Sequence, residues 1–396
     1  MLGYKQRIFY FVMVLIFTDT LLYGTIVPLI PFYTQQLQLN SVMMGILFAA
    51  YSLGLLVFSI PLGIIAERYG YRKVFLAGMA GLTLATALYG FANSPEILFL
   101  CRLIQGIAAA ASWTAGLAMV ALLYPEQQGE KLGLVMAAMG LGIILGPPVG
   151  GMLFHYLGYR EMFIALAVFC FLLLFMLCFV RFAHLAGGNR NKNFAVWQVR
   201  HNHSLIWLGV VVLISSSSFG MLEILLPNYL DGRFGLGSLQ IGMVFGLMGL
   251  VHVFSDAGVG FLSDRHGYKP FVHWGLWASA LCLPFLALAP NPIILTLILA
   301  LLGTTLGAVL TPSQPLMYHI VAADPVLWPS GGAGLVYGVF NTCFSMGLMF
   351  GPPLGGLLEK YFGFSVGLIL FAVLLMASAV LFRYKVGTVS LPNAGR

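Results

Sequence analysis

Three charged residues interrupt stretches of sequence that are otherwise strongly apolar: Asp19, Arg102 and Glu223. A charge held within the hydrocarbon of a bilayer is costly, and such residues typically mark ion or substrate pathways. A carboxylate deprived of water favours its protonated form and releases the proton when a cation or an arginine approaches. These residues are therefore candidates for handling a proton and a cation, the alternative being a structural ion pair.

Polar and aromatic side chains share helical faces with these charges. Tyr23 shares a face with Asp19. Gln105 and Trp113 share a face with Arg102, and Ser215 and Phe219 share one with Glu223. An acid beside an aromatic ring is a typical receptor for an organic cation. Because the chain has 31 Phe, 17 Tyr and 6 Trp, packing in the core or against lipid is the competing interpretation for each ring.

The composition identifies the elements that must hold these residues. Of 396 residues 60% are hydrophobic and only 8% are charged, against roughly 25% charged in a soluble domain. Mean hydropathy is +0.96, which indicates an integral membrane protein. Twelve apolar stretches between about residue 8 and residue 384 predict an all-α membrane protein of twelve transmembrane helices in two pseudo-symmetric halves of six. The predicted division is 1–181, a cytoplasmic linker at 182–203, and 204–396.

Basic residues predict the orientation. Assigning loops to alternate sides places 15 of the 19 Lys and Arg residues on the side that holds both termini and the linker. The positive-inside rule makes that side cytoplasmic. The basic residues are dispersed among short loops, so the net charge of +7 does not indicate nucleic-acid binding.

Two motifs occur twice, which supports duplicated halves related by parallel repeats with a site between them near the midplane. The pattern G-x8-G-x3-G-P-x2-G-G starts at Gly133 and again at Gly338, 205 residues later. We expect several of its members to allow tight crossing and flexing of helices, with packing alone as the alternative. These members are Gly142, Gly146, Pro147, Gly150, Gly351 and Pro352.

A short loop motif of acidic and basic residues also recurs, with a shift of 197 residues. We expect it to act as a conformational latch, in which glycine allows the helices to approach closely and the acidic side chain accepts a hydrogen bond from a helix N-terminus or an arginine. The residues of the two latch loops are Gly63, Glu67, Arg68, Gly70, Arg72, Gly260, Asp264, Arg265 and Gly267.

Other motifs are absent from the sequence. It contains no nucleotide-binding P-loop, no H-E-x-x-H metal motif and no nucleophile elbow, so we expect neither an enzyme nor a primary pump, and no cofactor other than a proton gradient.

Three further titratable residues fall within apolar stretches. We expect Asp256 to pair with the loop arginines, and His252 and His319 to be hydrogen-bonded structural histidines.

Several segments carry a family resemblance. The motifs above, with R-x-x-Q-G at Arg102 to Gly106, resemble the major facilitator superfamily and its twelve-span drug/proton antiporters. The segments Thr18 to Pro31, Gly220 to Pro227 and Tyr337 to Gly347 resemble most closely the vesicular monoamine transporter branch. The resemblance implies that Asp19 binds the substrate ammonium or a proton, that Glu223 assists, and that Arg102 takes part in coupling.

The chain departs from that branch at three aligned positions. Tyr51 stands where the branch has a lysine, and Asn341, a candidate for the substrate cavity, stands where it has the partner aspartate. Losing both together leaves no unpaired buried charge. Leu310 replaces another proton-linked aspartate, so neither the proton stoichiometry nor the vesicular substrates carry over. A bacterial relative in the plasma membrane, exporting varied lipophilic amines, fits better.

Three hypotheses follow. The first is a monomeric proton-coupled antiporter that exports lipophilic organic cations such as monoamines, drugs and dyes by alternating access, with protons and substrate competing for Asp19 and Glu223. The second keeps the fold but exports an anionic or zwitterionic metabolite, such as a siderophore, anchored by Arg102. The third is a non-transporting membrane sensor on a transporter scaffold.

Overall fold

The computed structural model describes residues 2–124, 127–179, 200 and 202–386, and these residues form helices joined by short turns. The helices are α1 (Leu2–Thr25), α2 (Ile30–Gln36), α3 (Ser41–Tyr69), α4 (Tyr71–Tyr89), α5 (Pro95–Leu123), α6 (Gln128–Leu157), α7 (Tyr159–Cys178), α8 (His203–Phe234), α9 (Ser238–His266), α10 (Tyr268–Leu288), α11 (Pro292–Ala322) and α12 (Leu327–Lys385). A short 3₁₀ turn, Val27–Leu29, joins α1 to α2. The predicted all-α class is confirmed.

Ten segments in the described part of the chain are long and apolar enough to cross a bilayer. One of them, Gly3–Gln36, combines α1, the 3₁₀ turn and α2. The predicted count of twelve differs for two reasons. The nineteen-residue α4, which carries Arg72 and Lys73 in its first turn, is not among the ten, and the last two predicted helices form the single assigned helix α12.

Helix α12 is not straight. Its 59 residues would extend about 88 Å as a regular helix, far beyond the thickness of a membrane. Gly363 has a φ of +76°, which breaks the helical geometry within it. A β-carbon built on Gly367 would lie 3.3 Å from Leu358 Cβ, although nine residues of straight helix would separate the two by about 13 Å. The chain therefore turns back at Gly363, where the sequence predicts the break between two spans.

Contacts within the chain define two compact units. The first comprises Met1–Asn189 and Leu226–Gly246, and the second comprises Arg190–Leu225 and Leu247–Arg396. The end of α8 and the start of α9 therefore belong to the first unit, whereas the sequence-based division at 1–181, 182–203 and 204–396 assigns them to the second half. That division remains a prediction, and most of the linker lies outside the described residues.

Close backbone packing explains why the start of α9 belongs to the first unit. A β-carbon at Gly242 would collide with Pro147 O, and one at Gly151 would collide with Ser238 O. Within the same unit, Gln35 Nε2 donates to Asp231 Oδ2 near the end of α8 over 3.0 Å. Helix α6 thus packs directly on the beginning of α9.

The two latch loops have the same backbone geometry. Gly70 and Gly267, which end α3 and α9, have φ values of +102° and +90°, a region that favours glycine. The expected role of the other glycines is not what the structure shows, because a β-carbon at Gly63 meets nothing within 4 Å and one at Gly260 meets only Thr311 at 3.8 Å. Close approach is therefore not the reason for glycine at those two positions.

The charged latch residues have local partners. Asp264 accepts from Tyr268 Oη at 2.8 Å, rather than from an arginine or a helix N-terminus as expected. Arg72 donates to Cys178 O over 3.1 Å and so connects α4 to the end of α7. The guanidinium carbons of two arginines lie over rings of their own helices: Arg68 at 5.5 Å from Tyr69 and Arg265 at 4.1 Å from Phe261. Glu67 is exposed.

A side-chain hydrogen bond joins the caps at the starts of α8 and α12. Asn202 Oδ1 accepts from Leu205 N, and Asn202 Nδ2 donates to Asp324 Oδ2 over 2.9 Å. Asp324 Oδ1 accepts from the backbone of Val326 and Leu327. Partial burial raises the pKa of the Asp324 carboxyl, but these three hydrogen bonds outweigh it and place the pKa below its ordinary value.

We expect Asp324→Ala to lower the free energy of unfolding by about 1 kcal/mol at neutral pH, the usual cost of losing a helix cap. Because the folded-state pKa is depressed, the carboxylate stabilises the fold above its unfolded-state pKa, and this contribution is lost as the pH falls through the folded-state value. The midpoint of thermal unfolding in detergent checks this at neutral and acidic pH. Asp324→Asn, which keeps an acceptor, should lose less, and an equal loss at both pH values for Asp324→Ala would contradict the account.

Candidate cation and proton site

Asp19 lies at the centre of the first span. It is 16 residues after Gly3 (19 − 3) and 17 before Gln36 (36 − 19). Its side chain is fully buried, with 0% of its surface exposed. A carboxylate at this depth has no access to water, so its charge must be compensated by hydrogen-bond donors, by a proton or by a cation.

Two neutral donors meet one oxygen of this carboxyl group. Tyr51 Oη from α3 and Trp113 Nε1 from α5 each donate to Asp19 Oδ2 over 2.9 Å. The other oxygen, Oδ1, is buried and has no hydrogen-bond partner in the described part of the chain. Asp19 also forms no ion pair with any described Lys, Arg or His. One oxygen is thus fixed and the other remains available.

Arg102 belongs to the same cluster but is held by rings. Its guanidinium carbon lies 4.4 Å from the centroid of the Phe48 ring and 5.0 Å from that of Tyr23. The Tyr23 ring in turn lies 4.8 Å from the Tyr51 ring. Arg102 Nη1 donates to Gln105 Oε1 over 3.2 Å, while Nε and Nη2 are buried without a partner in the described chain. Aromatic faces therefore compensate part of the cost of burying this charge.

A close crossing of α3 and α5 places Tyr51. A β-carbon at Gly106 would collide with Tyr51 O and lie 3.0 Å from Tyr51 Cα. On the opposite helix, a β-carbon at Gly54 would lie 2.9 Å from Leu103 O. The glycine of the R-x-x-Q-G motif thus brings the backbone of α5 onto the residue that donates to Asp19.

The glycine motif of α6 packs on α1 beside Asp19. Its three glycines at four-residue spacing face that helix: Gly142, Gly146 and Gly150. A β-carbon at Gly146 would lie 2.7 Å from Leu21 O. Thr20, adjacent to Asp19, donates from Oγ1 to Met139 O over 3.1 Å. The motif therefore sets the position of the stretch of α1 that carries the carboxyl group.

The second unit repeats this packing between α8 and α12. The corresponding glycines, 205 residues later, are Gly347, Gly351 and Gly355. A β-carbon at Gly351 would collide with Ser217 O, and one at Gly355 would lie 2.5 Å from Met221 Cγ. Pro352 faces Gly220 as Pro147 faces Gly24, with 2.7 and 2.9 Å from the proline Cδ to the built β-carbon. Both motifs thus allow close helix crossing.

Gly24 and Gly220, which face the prolines of the two motifs, lie 196 residues apart, and the same shift aligns Asp19 with Ser215 in the second unit and Tyr23 with Phe219. The Ser215 hydroxyl is fully buried, and its oxygen has no partner in the described chain. Glu223 lies two turns beyond Ser215 on α8 and is half-buried. The acidic group is therefore at a different level of the helix in each unit.

The remaining candidate, Asn341, and the departure at Leu310 both belong to the second unit. Asn341 is exposed on α12, and Leu310 is buried on α11. Tyr51, which the sequence identified only as a departure from the vesicular branch, is a direct partner of Asp19. Helical spacing cannot reveal such a contact between helices.

We expect Tyr51→Phe to weaken cation binding by about tenfold or more, because a hydrogen bond to a charged group contributes roughly 1.5–3 kcal/mol. The ionised carboxylate that receives a cation loses one of its two donors in this variant. Equilibrium binding of a labelled amine to the purified protein at fixed pH measures the effect. Tyr10→Phe, at an exposed position of α1, is the control, and equal affinity in both variants would contradict the role of Tyr51.

The helices and the buried charges together define an integral, multi-pass membrane protein. The sequence profile of the Major Facilitator Superfamily matches residues 12–326 and, in a second match, residues 208–395. The chain belongs to this superfamily of membrane transporters.

Known proteins agree with this membership. The chain is 27% identical over 359 residues to the MFS-type transporter SLC18B1 of Mus musculus, covering 86% of this chain and 78% of that protein. It is 25% identical over 350 residues to the synaptic vesicular amine transporter of Mus musculus, covering 86% of this chain and 65% of that protein. The crystal structure of a bacterial homolog to the human lysosomal transporter Spinster superposes with a TM-score of 0.85 at 13% identity, covering 97% of each chain. That likeness shows the fold alone.

Proposed function

We propose that the protein is a proton-coupled antiporter that exports lipophilic organic cations by alternating access. It works in a bacterial plasma membrane with both termini in the cytoplasm, as a drug/proton antiporter of its superfamily. Asp19 is the residue at which a proton and the substrate cation replace one another. The observation that carries the proposal is the arrangement of this carboxyl group, buried at the centre of a span with one oxygen fixed and one unpartnered.

The two oxygens of Asp19 have different roles in this proposal. Because Tyr51 and Trp113 both donate to Oδ2, a proton on the carboxyl group resides on Oδ1. An ammonium group seeking an acceptor meets the same atom. Proton and cation therefore compete for Oδ1, while the two donors hold the carboxyl group in one orientation in both states.

Electrostatics supports a one-for-one exchange of a proton and a cation at Asp19. A buried carboxylate without a close counter-charge is unstable unless it is neutralised, and one proton or one cationic amine achieves this equally. The Arg102 guanidinium lies over the rings of Tyr23 and Phe48 and forms no ion pair with Asp19, so its charge acts on the carboxylate only from beyond ion-pair distance. The similarity to the synaptic vesicular amine transporter supports an amine as the substrate class.

Proton release on substrate binding tests the proposal. Purified protein in weakly buffered detergent solution is mixed with a lipophilic amine, and the pH change is recorded with binding. We expect up to one proton released per amine bound at acidic pH and less release at alkaline pH, where Asp19 has already lost its proton. Amine binding without proton release at any pH would contradict the exchange at Asp19.

Arg102 favours a second candidate, export of an anionic or zwitterionic metabolite. Its Nε and Nη2 atoms are buried donors without a partner in the described chain, as a site for a carboxylate requires. Arg102→Gln separates the two candidates. Retained amine binding in this variant favours the cation exporter, whereas binding of an anionic metabolite that is lost in this variant alone favours the second candidate.

A further inference from the structure

A second pair of titratable side chains lies in the second unit. His252 and Asp256 are one turn apart on α9, with 3.6 Å between His252 Nε2 and Asp256 Oδ2. The sequence predicted that Asp256 would pair with the loop arginines, and this is wrong. Its partners are the histidine one turn earlier and the side chain of Thr311.

A hydrogen bond to α11 determines where the imidazole carries its hydrogen. His252 Nδ1 lies 2.9 Å from Gly303 O, and a carbonyl oxygen can only accept, so Nδ1 is the donor. In the neutral ring, Nε2 then presents a lone pair towards the carboxylate. Two acceptors that face each other repel unless a proton lies between them, and the pair is therefore complete only with one added proton.

Helix α11, which packs against the pair, provides no second carboxylate that could accept this proton. Helix α11 contributes the Thr311 side chain, which forms a hydrogen bond with the Asp256 carboxyl group, and Gly307. A β-carbon at Gly307 would collide with Asp256 Oδ1, and this oxygen is buried without a partner in the described chain. Helix α11 contains no Asp, Glu, Lys or Arg, and its one histidine, His319, stacks on Tyr268 three turns beyond Gly307. On α8, the acidic residue nearest to Phe219 along the chain is Glu223, one turn beyond it.

The Phe219 ring connects this pair to the candidate substrate side chains. Its centroid lies 5.2 Å from that of the His252 ring. Phe219 is on the stripe of α8 that also carries Ser215 and Glu223. An imidazolium attracts an aromatic ring more strongly than a neutral imidazole does, so protonation of His252 affects the position of Phe219.

We propose that the His252–Asp256 pair is a second proton-binding site, which takes up and releases one proton in each transport cycle. Uptake places a proton on His252 Nε2 and forms an ion pair with Asp256. Release leaves neutral imidazole beside an ionised carboxylate, so the two side chains separate and the contact of the ring with Phe219 changes. This inference rests on the proposed function, since it adds a second proton to the same exchange.

The double variant H252Q/D256N tests this site, because two neutral amides have no proton to exchange. In reconstituted vesicles, the amine gradient at which net flux stops, at a fixed pH difference, gives the number of protons exchanged per amine. We expect the double variant to exchange one proton fewer per amine than the wild type, with amine affinity within about twofold. An unchanged proton number overturns the inference and leaves the proposed function intact.

Two glycines provide matched controls on the same face of α11. A β-carbon at Gly303 would lie 3.6 Å from His252 Cβ, an ordinary contact, whereas one at Gly307 would displace the Asp256 carboxyl group. We expect Gly303→Ala to keep the wild-type proton number and Gly307→Ala to lose one proton. Equal behaviour of these two variants would contradict the placement of the site.

A second measurement decides the matter if the wild type moves no organic cation and the proposed function fails. Purified protein in unbuffered detergent is titrated with acid through neutrality, and the protons taken up per molecule are counted. One proton more in the wild type than in H252Q/D256N supports the site. An equal count overturns it.

Discussion

Asp19→Asn is expected to abolish proton-driven transport of organic cations while the protein stays folded. The amide is nearly isosteric with the carboxyl group, and its oxygen accepts from Tyr51 and Trp113 as Asp19 Oδ2 does. It can neither take up a proton nor carry the negative charge that attracts a cation. We expect proton release on amine binding to disappear and gradient-driven uptake to fall to the level of vesicles without protein.

Two further variants make this prediction specific. Asp231→Asn makes the same chemical change near the end of α8, where the carboxylate accepts from Gln35, and should leave proton coupling intact. Asp19→Glu keeps the charge but moves it by one methylene, and should retain part of the amine binding. Full proton-coupled uptake by a folded Asp19→Asn protein would remove Asp19 from the mechanism.

Gly146→Ala and Gly351→Ala are expected to have the next largest effects. A β-carbon at Gly146 would lie 2.7 Å from Leu21 O, and one at Gly351 would lie 2.8 Å from Ser217 Cα. Backbone atoms of a packed helix cannot move aside as a side chain can, so the helices must separate. Such overpacking costs about 1–3 kcal/mol, and it displaces the stretch of α1 or α8 that carries the candidate residues. We expect exchange to fall about tenfold or more in each variant.

Other glycines of the same two motifs serve as controls. A β-carbon at Gly133 or Gly338, which begin the motifs, meets nothing within 4 Å. Alanine at these positions should leave transport unchanged and stabilise the helix slightly, since glycine is a poor helix former. Thermal unfolding and counterflow of a labelled amine should be measured on all four variants. Comparable losses for all four would show that close packing is not what the motif provides.

Much of the helical architecture could be predicted from local signals. Ser94 and Asn291 each precede a proline, lie 197 residues apart and cap α5 and α11 through backbone hydrogen bonds to their side chains. Such caps depend on neighbouring residues only, so the sequence reveals them. The buried charge of Arg102 could be predicted for the same reason, since an arginine inside an apolar stretch is visible without a structure.

Contacts between helices could not be predicted in this way. The bond from Tyr51 to Asp19 depends on the rotation of α3 about its axis, and this rotation follows from the crossing at Gly54 and Gly106. The error at Asp256 was avoidable, because His252 precedes it by four residues and that spacing brings side chains together on a helix. The position of Asp264 opposite Tyr268 has the same spacing.

The most direct test of proton-coupled export is uptake of a labelled lipophilic amine into reconstituted vesicles across an imposed pH gradient, with the vesicle interior acidic. We expect accumulation that stops when the gradient is dissipated, that is accompanied by proton efflux, and that falls in Asp19→Asn to the level of vesicles without protein. Amine uptake that is indifferent to the gradient, or the absence of any amine flux in folded protein, would contradict it.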